Sequence, residues 1–184
     1  MAGMAGTSGV VAEFVERKEI TLLSEPIETR GRLIFVPPDR LVRTTELPSR
    51  SRLVIVGERF GFRDEAGGEA VDLSSNPMAR EFVVNFIVLF NGDLAALRAR
   101  YEPDFEVRGA EWSLALTPRR RPLADLIERV TLTGSGPTMR RMEMLETDGD
   151  RTTTRFEAVQ VDRRFTPEEL DRLFAMPGAD PDAP

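Results

Sequence analysis

Two acidic pairs, one glycine-rich step and a single lysine are the residues of this chain whose types could do chemistry. Glu143/Glu146 and Asp148/Asp150 have the makeup of a general acid–base pair. The first pair lies in an alternating stretch that reads as a solvated strand face. The second brackets Gly149 and reads as a hairpin turn. Gly134-Ser135-Gly136 could cradle a phosphate, but no Gly-Lys-Ser/Thr follows it and no helix starts there. The chain has no His, so Ser135 cannot join a Ser-His-Asp triad, and the commonest metal ligand is missing. It has no Cys, which removes disulfides, thiol nucleophiles and thiolate metal sites together. Asp148-Gly149-Asp150 lacks the remaining ligands of an EF-hand loop. Lys18 is the sole candidate for Schiff-base chemistry. No base falls beside a nucleophile, so the residues predict no enzyme, no catalytic residue, no cofactor and no metal.

Charge narrows the partners. A net charge of −6 disfavours nucleic acid, which selects a basic surplus, and Arg119-Arg120-Arg121 reads as a solvated loop. With 184 residues, 41% apolar and 30% charged, one globular domain with a sizeable core is expected. The longest apolar run, 82–90, is interrupted by Asn85. As a helix it would span roughly 14 Å, short of a hydrocarbon core of about 30 Å. Residues 1–9 show neither a charged n-region nor an apolar h-region and are expected to be a disordered leader. The domain should occupy 10–176, and the Pro-, Gly-, Ala- and Asp-rich residues 177–184 should form a disordered tail.

The elements that would position any site follow from periodicity. Strands are expected over 10–23, 30–36, 40–46, 52–56, 59–64 and 69–73, divided by proline and glycine turns. Ser75 or Asn76 and Pro77 should start a helix over 78–90 that is apolar on nearly all sides and therefore needs cover on more than one. Asn91-Gly92 stops it. Asp93 caps a second helix reaching Tyr101, with Leu94, Leu97 and Tyr101 on one face. Strands resume at Phe105 and at 111–117, 129–133, 139–147 and 151–161, with a helical turn within 123–128. Thr166-Pro167-Glu168-Glu169 is a capping box opening a last helix. Short connections favour neighbouring antiparallel strands.

Several motifs in this order resemble the LolA-like family, the periplasmic carriers of bacterial lipoproteins. They are Ala12-Glu13-Phe14-Val15-Glu16, Gly31-Arg32-Leu33-Ile34-Phe35, and Pro38-Asp39-Arg40-Leu41 with Pro48 ten residues after Pro38. Gly92-Asp93-Leu94-Ala95-Ala96-Leu97, Trp112-Ser113-Leu114-Ala115-Leu116-Thr117-Pro118 and Gly134-Ser135-Gly136 resemble the branch found beside lipid and pigment export genes. The resemblance covers roughly 11–174. It implies an α+β, mostly β fold: a curved antiparallel sheet of about 11 strands forming a half-open barrel, with helices lidding its concave face. It also implies a periplasmic, monomeric protein that takes fatty-acyl cargo, a lipoprotein or other lipid conjugate, from an inner-membrane exporter and passes it to an outer-membrane acceptor. The family's amphipathic first helix should precede Val11. The arginine with which well-known carriers hold the lid shut would fall on Val42, with Arg43 on the opposite face of the strand.

The residues themselves supply the apolar surface such a carrier needs. On the early strands they are Phe14, Leu33, Phe35, Leu41, Leu53, Ile55, Phe60 and Phe62. On the late strands they are Trp112, Leu114, Leu116, Val130, Leu132, Met142 and Met144, and on the lid helix Phe82, Phe86, Leu89 and Phe90. These are the expected acyl-binding residues; Met139 could add to them, since thioethers adapt to variable tails. A closed core is the plain alternative for any one of them. The corresponding alternative function is an interaction module of the same fold that docks on a membrane exporter without carrying lipid.

Overall fold

Apolar–polar alternation, clearest over 111–118 and 127–135, gives one sheet with two unlike faces. The computed structural model describes residues 7–75 and 77–177. The first strands are β1 (Val10–Glu19), β2 (Ile27–Val36), β3 (Arg40–Leu47), β4 (Ser51–Val56), β5 (Arg59–Asp64) and β6 (Gly67–Asp72). A 3-10 turn, Leu73–Ser75, leads into α1 (Pro77–Asn91) and α2 (Leu94–Arg100). Then come β7 (Tyr101–Arg108), β8 (Glu111–Pro118), a 3-10 turn at Leu123–Asp125, β9 (Ile127–Ser135), β10 (Thr138–Glu146), β11 (Arg151–Gln160) and α3 (Pro167–Leu173). All pairings are antiparallel, in the order β6-β5-β4-β3-β2-β1-β11-β10-β9-β8-β7. The first and last hairpins do not meet. The sheet is therefore a half-open barrel, mostly β, as the family resemblance implies.

Register fixes which side chains share a face. One ladder row runs Val10–Phe35–Leu41–Ile55–Phe60 and another Thr154–Met142–Leu132–Leu114. These residues point to the concave side, where α1 and α2 lie. Val11, Ile34, Val42 and Val54 point to the convex side, under α3. Glycine is required where two strands crowd: a Cβ at Gly31 would collide with the Thr44 carbonyl, and one at Gly134 with the Thr138 carbonyl and the Trp112 ring.

Several boundaries differ from expectation. β1 ends at Glu19, not at 23, and β2 starts at Ile27. Tyr101 opens β7 and does not close α2, and Leu94 is half-exposed. The Asp93 cap forms as expected, its carboxylate accepting from the Ala95 and Ala96 amides, and Gly92 takes the left-handed conformation that ends α1. The Thr166 capping box also forms. Asn76 and residues 178–184 lie outside the described residues. Thr7 to Gly9, within the expected leader, are seated on the linker after β11: the Asp162 amide donates to the Thr7 hydroxyl and the Arg163 amide to the Gly9 carbonyl.

Candidate functional site

The concave face collects the expected acyl-binding residues of the strands. Phe14, Leu33, Phe35, Leu41, Ile55, Trp112, Leu114, Leu116, Val130, Leu132 and Met142 join one buried cluster, with Leu53, Phe60 and Met144 packed at its margin. Phe62 lies on the same face but is exposed near the sheet edge. From α1, Leu89 and Phe90 enter this cluster; the side chains of Phe82 and Phe86 lie outside the described residues. Sequence reasoning missed Val83, Ile87 and Val88 on α1, Leu97, Tyr101, and Phe156 on β11. The signal was available for α1, whose apolar residues cover most of its circumference.

Among the described side chains, α1 packs directly on the floor. Phe90 packs against Phe35 and Phe156, with ring centroids 5.8 and 6.1 Å apart. An apolar slot beside Phe90 has about 20 Å³ free, room for one water-sized sphere. α1 therefore lies over the floor on which acyl chains are expected. A roomier hollow of about 370 Å³ on the convex face is lined by Arg17, Glu19, Arg141, Glu143, Arg151 and Arg155 among others. Charged in both signs, it suits no hydrocarbon.

α1 is tied to the sheet at its ends. Arg80 forms a salt bridge with Glu58 at 2.8 Å, and the Asn91 amide donates to the Pro38 carbonyl at 2.6 Å. Both partners sit in turns between strands. Arg100 at the end of α2 bonds Glu81 at 2.7 Å, joining the two helices to each other. Between these ties the described α1 side chains in the cluster are apolar, and the buried Asn85 bonds within the helices, to the Glu81 carbonyl and to Arg100.

A polar group interrupts the floor at the central strands. Glu16 accepts from Arg43 at 2.7 Å and from the Thr154 hydroxyl at 2.8 Å, while the Arg43 guanidinium lies 4.4 Å from the Phe14 ring centroid. Val42 is buried on the convex side under α3. So Arg43, not the residue at position 42, presents a cation to the concavity, and it is engaged by the floor itself. Burial pushes the Tyr101 phenol up to about 12.

The acidic pairs do not form acid–base couples. Glu143 pairs with Arg141 and Arg151 on the convex face, and Glu146 with Lys18 at 3.0 Å. Glu146, Asp148 and Asp150 gather closely, but Lys18 supplies the cation there. The hydrogen bond to Glu146 raises the Lys18 ammonium above its ordinary value. That contribution to stability is complete below the ordinary lysine range and is lost as pH rises through the raised value. The Asp150 carboxylate also accepts from the Thr21 amide, holding the turn.

Among the described residues, no helix is long and apolar enough to cross a membrane. No curated protein sequence matches the chain. A chain of the Pseudomonas aeruginosa MucA/MucB complex is similar in fold, with TM-score 0.50 and 13% identity over 91% of this chain and 56% of that one. A LolA superfamily protein from Nitrosomonas europaea matches with TM-score 0.49 and 12% identity, over 90% of each chain. A putative outer membrane lipoprotein-sorting protein domain from Vibrio parahaemolyticus matches with TM-score 0.49 and 8% identity, over 93% of each. The model of the family described as outer membrane lipoprotein carrier protein, LolA-like, matches residues 2–173. By that match over nearly its whole length, the chain belongs to the LolA-like family.

Proposed function

We propose that the protein is a non-enzymatic periplasmic carrier, in which an acyl chain of a lipoprotein or lipid conjugate takes the place of α1 on the concave floor. The observation that carries this reading is the near-balance between lid and guest. Val83, Ile87, Val88, Leu89 and Phe90 are buried by the floor and its neighbours, and side chains of this kind gain roughly 2 kcal/mol each, about 10 kcal/mol together. A tail of roughly 16 carbons, at about 0.8 kcal/mol per methylene, gains on the order of 10 kcal/mol gross. Exchanging one for the other costs little, so loading and release need no ATP hydrolysis in this chain. The donor would be an inner-membrane exporter and the recipient an outer-membrane acceptor, as for the family.

Delipidated protein titrated with palmitate and examined by native mass spectrometry tests the reading. A one-to-one adduct is expected. Protein that never retains an acyl ligand would instead support the alternative, a docking module with a filled core. The observation favouring that alternative is the exposed Leu22-Leu23 pair in the β1–β2 connection, with Leu22 93% exposed.

A further inference from the structure

The end of β11 carries a bulge that changes which side chains face the concavity. Val11 pairs with Gln160 and Glu13 with Glu157, so β11 has one extra residue opposite Ala12. Ala158 absorbs it at φ 47°, a conformation L side chains rarely adopt. Unbulged, the strand would direct Ala158 and Gln160 inward. Bulged, it directs Val159 and Val161 inward, where both pack on the main cluster. The result is the apolar slot described above: Ala12 and Leu33 at its base, Phe90 as one wall, and Pro137, Val159 and Val161 as its outer lip.

We propose that this slot is the port through which a hydrocarbon tail enters the concavity, a proposal that rests on the acyl-carrying reading. Every lining residue is apolar, so the slot cannot give a water the polar partners it needs. It continues inward as the buried cluster, to which Val10, Ala12, Leu33, Phe90, Met139 and Phe156 all belong. Its movable wall is the last turn of α1, held by the bond from Asn91 to the Pro38 carbonyl. Swinging Phe90 aside widens the slot without unpairing a strand. The opposite margin lies on the last edge strand, where Phe105 and Val107 pair with Leu114 and Trp112. Phe105 and Val107 on β7 are 50% and 60% exposed on an edge strand where Asp104, Glu106 and Arg108 alternate with them.

Trp112, the only tryptophan, is the reporter. It shares a cross-strand row with Gly134 and Met139, and Met139 lines the slot. Stopped-flow quenching of Trp112 by ω-bromopalmitate is measured in the wild type, Val161→Glu, Pro137→Glu and Phe105→Glu. Pro137 is exposed in a turn, so its variant keeps the test valid if Val161→Glu fails to fold. A charge on the lip should slow quenching at least about tenfold in Val161→Glu and Pro137→Glu, with Phe105→Glu close to the wild type. Unchanged rates in both lip variants, or slowing by Phe105→Glu alone, overturn the port while leaving the carrier reading intact. No quenching together with no palmitate adduct in native mass spectrometry overturns the carrier reading, and the port with it.

Discussion

The two faces of the sheet are both covered by helix, but they are covered differently. On the convex side α3 is fastened at its C-terminal end and beyond it. The Arg52 guanidinium donates to the Leu173 carbonyl at 2.6 Å, and Arg40 lies 6.0 Å from the Phe174 ring centroid. Met176 is buried, and Pro177 is seated against Gly61 and Gly68, where a Cβ would meet it. On the concave side α1 is fastened to strand connections at Arg80 and Asn91, with apolar contact between. The convex cover is built as part of the sheet. On the proposed reading the concave cover is the exchangeable one, because apolar contact is readily replaced by another apolar surface.

This contrast can be broken or sharpened by measurements of decreasing effect. Phe35→Ala removes a fully buried ring from the floor and should lower stability by about 3–5 kcal/mol in urea unfolding. A loss below about 1 kcal/mol would mean that the floor is not well packed against α1. The second measurement follows Tyr101, the only tyrosine, through its phenolate absorbance. Its phenol is pushed up to about 12 from 10.0. Between those values the unfolded chain ionises first, so stability falls as pH rises, by on the order of 2–3 kcal/mol in all. Titration at the ordinary value would mean that Tyr101 is open to water. Third, Gly61→Val displaces Pro177 from the convex face and should cost about 1–3 kcal/mol. Hydrogen exchange should rise in α3 and leave α1 unaffected. Smallest is the double variant Arg80→Ala/Asn91→Ala. It should cost under about 1 kcal/mol, since Arg80 and Glu58 are both largely exposed, yet it should speed palmitate uptake by loosening both ends of the lid.

How much of this was legible in the sequence depended on the kind of signal. Where one face is apolar and the other wet, as in Trp112-Ser113-Leu114-Ala115-Leu116, alternation defined both the strand and its orientation. Where the floor turns polar the signal faded. β2 begins at Ile27, but Glu28, Thr29 and Arg30 show no contrast, because Thr29 faces Glu16 and Glu28 faces Arg17. The inward direction of Val159 and Val161 was hidden, since a bulge shifts parity without changing composition. The boundary at Tyr101 was misplaced because Tyr101 and Leu97 are both buried in the main cluster, so burial alone does not separate helix from strand there. The expected acyl-binding residues could be placed on one face by pattern. Whether they met a guest or a helix could not, because apolar periodicity specifies a surface and not its occupant.

The central claim is that an acyl chain and α1 compete for one floor. The chain has no native cysteine, so single thiols report cleanly. Val88→Cys places one on buried α1 and Val42→Cys one on the convex face under α3. With saturating palmitate, the rate of maleimide labelling at position 88 should rise at least about tenfold while position 42 stays protected, since only the lid leaves the sheet. A thiol at position 88 that remains protected while palmitate is bound would contradict the account.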